Sequence, residues 1–200
     1  MRALAFALAL VSAPAIAQPF APQTMRVTGT IERIDDDDVT IRAIEGGGTT
    51  IVHLTKDAAV YGVTRATLAD IKPGSFIGAG AVPQADGTQR AVRVTVFPES
   101  LRGLGEGFRP WDRTPGGTMT NATVAETVTS VDGHVVTVKY KDGEKRIVIP
   151  PDAPVLAYLP GTRDELKVGA AVAIARAKRK LDGSWEADRI TVGRDGVMPD

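Results

Sequence analysis

Valine, isoleucine and threonine alternate with polar residues over short runs along most of this chain. That period of two belongs to strands that bury one face. The runs fall at 26–34, 39–44, 49–54, 75–82 and 90–97, and again at 122–131, 135–140, 145–149, 170–176 and 186–192. Asp86-Gly87 and Asp182-Gly183 separate the last two runs of each series, and Asp-Gly between apolar runs is a strong hairpin signal. Between the third and fourth runs, Thr67-Leu68-Ala69-Asp70 and Thr162-Arg163-Asp164-Glu165 have the spacing of a capping box and predict a short helical turn. Gly78 and Gly80 inside the fourth run predict a bulge or a close approach by other backbone.

The two series match each other. Thr30-Ile31-Glu32-Arg33-Ile34-Asp35 corresponds to Thr127-Val128-Thr129-Ser130-Val131-Asp132, and Val39-Thr40-Ile41-Arg42 to Val136-Thr137-Val138-Lys139. Asp57-Ala58-Ala59-Val60 corresponds to Asp152-Ala153-Pro154-Val155, and Ala91-Val92-Arg93-Val94-Thr95-Val96 to Ala187-Asp188-Arg189-Ile190-Thr191-Val192. Order, spacing and identity agree, so the chain reads as an internal repeat. Five strands with a small helix between the third and fourth follow the OB plan. The expected fold is all-β: two tandem five-stranded OB-like small barrels, each with a short helical turn between strands three and four. Another small open barrel satisfies the same pattern. The first unit spans 18–97, a linker 98–121 and the second unit 122–200.

The first 17 residues have another character. Arg2 precedes an uncharged apolar run, Pro14 breaks it, and Ala15-Ile16-Ala17 offers small residues for cleavage. This order predicts a secretory signal peptide, with export to the periplasm or beyond. The run is too short for a permanent anchor, which needs about 20 apolar residues, and no later run is apolar enough. The protein is therefore expected not to be membrane-spanning.

Composition narrows the function. There is no cysteine, so neither a disulfide nor a thiolate site is available. Lys plus Arg equals Asp plus Glu, and aromatic residues are few. Nucleic-acid binders usually carry a basic excess and stacking aromatics, so no nucleic acid is expected as a partner.

Residues 98–121 have no strand period and are too long for an ordinary connection. They contain Gly105-Glu106-Gly107-Phe108-Arg109-Pro110-Trp111-Asp112, followed by Met119-Thr120-Asn121-Ala122. With the signal and the repeat, this phrase resembles a family of exported bacterial proteins carrying an uncharacterised OB-like domain. The resemblance implies a fold and a compartment and no chemistry.

Several groups are candidate sites. Phe108, Arg109, Trp111 and Asp112 combine aromatics and an arginine in a glycine-rich loop, as interface hot spots do. The alternative is a clasp that buries Trp111 between the units. Large apolar groups on a mobile tether are unfavourable, so this segment is expected to be ordered, with Trp111 or Phe108 docked on a barrel. Arg176, Lys178, Arg179 and Lys180 form a basic arm for an acidic partner, or a charged edge that deters strand pairing. Asp35, Asp36, Asp37 and Asp38 could hold a hard cation, with His53 and His134 as further ligands. The alternative there is a solvated acidic turn. These are the only two histidines, and no Gly-x-Ser-x-Gly elbow accompanies them. The expectation is a non-enzymatic module without a cofactor that binds an envelope protein or a small ligand. A metal- or cation-binding accessory protein is the alternative.

Overall fold

The computed structural model describes residues 23–44, 46–130 and 133–199. The signal sequence and the Asp132 turn lie outside the described residues. The fold is all-β, with three single 3-10 turns. No helix among the described residues is long and apolar enough to cross a membrane.

Twelve strands follow in order: β1 (Thr24–Asp35), β2 (Asp38–Ala43), β3 (Thr49–Ala66), β4 (Phe76–Pro83), β5 (Gln89–Phe97), β6 (Gly107–Pro110), β7 (Thr118–Ser130), β8 (Gly133–Tyr140), β9 (Gly143–Ile149), β10 (Val155–Pro160), β11 (Ala171–Arg179) and β12 (Trp185–Gly193). Two of the 3-10 turns, Leu68–Asp70 and Arg163–Glu165, begin at the predicted capping boxes. Thr67 donates its backbone N–H to Asp70 Oδ2 at 2.8 Å, and Thr162 donates to Glu165 Oε1 at 3.0 Å.

The strands pair in the order β12-β11-β1-β2-β3, and β12 returns to β3 in parallel register from Trp185↔Val52 to Gly193↔Val63. This closes a five-stranded barrel. The sequence suggests that each half closes on itself, yet this barrel takes β1 to β3 from one half and β11 and β12 from the other. Its core holds Ile31, Val39, Ile41, Val52 and Leu54 from the first three strands, with Val172, Ile174, Ile190 and Val192 from the last two.

The remaining strands run β3-β10-β5-β4-β7-β8-β9, and β6 lies beside β7. Here β4 and β5 pair with strands of the C-terminal half. Ile77 faces Ala122 across β4 and β7, and β5 meets β9 in parallel at Gln89↔Ile147 and Arg90↔Val148. A second core forms from Ile77, Ala79 and Val94 with Ala122, Val124, Val136, Val138, Ile147 and Ile149. Val39, Ile41, Val136 and Val138 all point inward.

Local features depart from the sequence pattern. β3 continues to Ala66, because its far end pairs with β12 and β10 after it leaves β2. β10 joins β3 antiparallel and β5 in parallel, so it links the two strand groups. The first hairpin pairs Ile31 with Ile41, whereas the second pairs Val124 with Val138. The second hairpin is thus four residues longer between its matched core positions, and Val124 takes the inward place the sequence match gives to Val128. Val128 is exposed instead.

Gly78 and Gly80 meet both expectations in part. The register slips between Gly80 and Ala81, which is a bulge. The close approach at Gly80 is by a side chain: a Cβ there would lie 2.5 Å from the Trp111 ring.

Candidate ligand cleft

The linker is built into the fold. A 3-10 turn, Glu99–Leu101, starts it and buries Leu101. β6 then adds itself to β7 from Gly107↔Asn121 to Pro110↔Thr118. A turn ties Trp111 N to Gly117 O at 2.9 Å, and the half-buried indole lies on Gly80 of β4. Asp112 and Arg113 follow Trp111 inside this turn. Asp112 reaches the other strand group, where Arg26 of β1 donates to its Oδ1 at 3.4 Å.

The C-terminal segment is fixed in a similar way. A Cβ on Gly193 would lie 1.8 Å from Val197 O, so only glycine allows the chain to fold back there. Val197 donates to Arg194 O at 2.9 Å and is itself buried. Met198 and Pro199 come to lie beside β1.

Between these segments and the start of the barrel is a cleft of about 830 Å³. Among the described residues its charged side chains are Arg26, Asp112 and Arg113, and its apolar ones include Met25, Ile44, Met198 and Pro199. Thr49 and Thr50 add hydroxyls. Ile44 is 55% and Met198 42% exposed, so the cleft presents uncovered apolar surface next to charge.

Tyr158 of β10 lies at the junction of the two strand groups. Its ring meets Phe97 edge-on with centroids 5.3 Å apart, within the junction between strand groups. Burial raises the phenol pKa, opposed by Arg93, a hydrogen bond with Thr191, Arg189 and Arg26. Burial also lowers the Arg93 pKa; Tyr158 opposes this and the Arg113 guanidinium adds to it. Arg189 Nε is buried without a hydrogen-bond partner among the described residues. Tyr158 thus feels the guanidiniums of Arg93 on β5, Arg189 on β12 and Arg26 on β1.

Tyr158 gives a pH prediction. A phenol whose folded pKa is raised contributes stability below its unfolded value of about 10. That stability is lost as pH rises through the folded value. Tyr158→Phe is expected to flatten the fall in melting temperature above about pH 10. Thermal melts at stepped pH measure it, and an unchanged slope defeats it.

The structure distributes the other sequence candidates. Phe108 is exposed under Lys145, whose Nζ lies 4.5 Å from the ring centroid. Arg109 donates to Gly105 O at 2.7 Å. Neither lines the cleft, so of the linker four only Asp112 does, with Trp111 as its support.

The basic arm is not at an edge, since β11 runs between β1 and β12. Lys178 and Lys180 pair with Asp188 and Glu186 at 3.2 and 3.3 Å. Arg179 donates to Gln23 at 3.0 Å and stacks over Trp185. Arg176 is exposed.

The acidic turn is partly engaged. Asp35 pairs with Arg33, Asp37 accepts from Arg163, and Asp38 lies 2.8 Å from His53 Nδ1. Asp36 adopts a left-handed conformation at φ 50. His134 sits on β8 in the other strand group, away from this turn. Among the described residues no three His, Asp or Glu side chains are arranged to hold a metal ion.

Arg26, Arg93, Arg113, Arg189 and Tyr158 carry no motif, because they are scattered over five segments. No protein family, curated protein or solved structure matches the chain.

Proposed function

We propose that this protein is an exported, non-enzymatic binding module of the cell envelope, which takes a small ligand in the cleft between the linker and the barrel. The cleft carries the reading. Its volume of about 830 Å³ suits a small molecule, for which sites run to roughly 300–1,000 Å³. Its lining of exposed apolar groups beside a few fixed charges is the pattern of such sites. The ordered linker supports the same reading, since an ordered long loop without a strand period usually serves binding.

We further read the second strand group as a barrel of the first one's plan. Each follows the OB order 1-2-3-5-4, with the two halves of the repeat exchanging their last two strands. Under this reading the cleft lies where linker and exchange bring the halves together.

Mass spectrometry of protein recovered from the envelope fraction tests the proposal. Denatured, the chain is expected to begin at Gln18. Under native conditions it should carry a noncovalent adduct, which Ile44→Trp, by filling the cleft wall, removes. A cytoplasmic pool retaining Met1 defeats export, and an adduct indifferent to Ile44→Trp defeats the cleft.

A further inference from the structure

We infer that the cleft selects an amphipathic anion, a single carboxylate or phosphate head on a short aliphatic tail, with Arg26 and Arg113 taking the head. This rests on the cleft being the binding site and adds the class of ligand.

The arginines argue for an anion. Among the described residues, two of the three charged groups lining the cleft are guanidiniums, and Asp112 engages Arg26 at 3.4 Å, a long contact for an ion pair. Arg93 and Arg113 engage other residues of the chain as well, so the case does not rest on free cations. It rests on two guanidiniums, one from β1 and one from the linker, lining a single cleft. The Arg113 guanidinium also disfavours the charged form of Arg93. An anion in the cleft offsets this concentration of positive charge. Guanidiniums also match planar carboxylate and phosphate oxygens with two parallel hydrogen bonds.

The tail follows from the apolar part of the lining. Met25, Ile44, Met198 and Pro199 offer only apolar side chains, and Ile44 and Met198 stand exposed. Methionine adapts to aliphatic shapes at binding surfaces. A fully polar anion would leave this part wet.

Titration of the full chain with decanoate, decyl phosphate and decanol, read by calorimetry and melting temperature, tests the inference. At least one of the two anions should bind tenfold or more tightly than decanol. Which of the two does so identifies carboxylate or phosphate as the head. Arg26→Gln and Arg113→Gln should each weaken anion binding about tenfold and leave decanol unchanged. Raising the salt concentration should weaken anion binding in the unaltered protein, a readout independent of how well the variants fold. Decanol binding as tightly as the anions overturns the inference and leaves the cleft reading standing. If none of the three binds, the inference falls. If the native adduct is also missing, the cleft reading falls with it.

Discussion

Fragments 23–102 and 103–199, expressed separately, are expected not to form stable monomers, and mixing them is expected to restore one cooperative 1:1 complex. The cut falls at Gly103, an exposed turn position. Fragment 23–102 carries five strands and fragment 103–199 seven, so each has enough to close its own barrel. The core volumes oppose that. In the closed barrel β11 places Val172 opposite Gly29, with Ile174 further along, and β12 adds Ile190. The corresponding positions in the second group are Ile77, Ala79 and Val94. A self-closed N-terminal fragment would put Ala79 in the place of Ile174 and Val94 in the place of Ile190. Ile→Ala costs about 2–5 kcal/mol and Ile→Val about 0.5–1.5 kcal/mol in a packed core. A self-closed C-terminal fragment would force the isoleucines into space shaped for smaller groups, which also destabilises. Small domains have only about 5–15 kcal/mol to lose. Circular dichroism melts and light scattering of each fragment and the mixture decide the matter. A monomeric fragment 23–102 that melts cooperatively at the full-chain temperature defeats the prediction.

Trp111→Ala is expected to lower the melting temperature by about 5–10 °C. Truncating a buried tryptophan costs about 3–5 kcal/mol. Trp111 is only half-buried, so about 2–3 kcal/mol is expected, at about 2–4 °C per kcal/mol for a chain of this size. The partner variant makes the test specific. Gly80→Ala would place a Cβ 2.5 Å from the ring atoms Cη2 and Cζ3, so it should destabilise the native protein. In the Trp111→Ala background the same substitution should cost much less, because the clash is gone. Additive losses would show that the ring does not rest on Gly80.

Most strands were legible because each buries one face, and a period of two survives any sheet partner. Strand exchange was not legible for the same reason. A fourth strand from either half presents inward apolar residues to β1, so local pattern cannot choose between them. The choice lies in volumes such as Ala79 against Ile174. β10 escaped because Pro150, Pro151 and Pro154 precede a run of only six residues. The later part of β3 escaped because Lys56 and Asp57 interrupt its alternation. The linker's order was legible from the cost of exposing its aromatics. The arginines of the cleft were not, since Arg26 and Arg113 come to one cleft only after the strands have crossed. Asp112 could be picked out because it adjoins Trp111.

Pairing Thr24 with Lys178 and Val52 with Trp185 also sets an order in time. The barrel's first three strands leave the ribosome long before their partners exist. No early part of the chain can complete its core and stop. Closure waits until residues up to Gly193 have emerged, and contacts so distant along the chain form slowly. Since both cores draw on residues of each half, neither can be completed until the C-terminal half has been made.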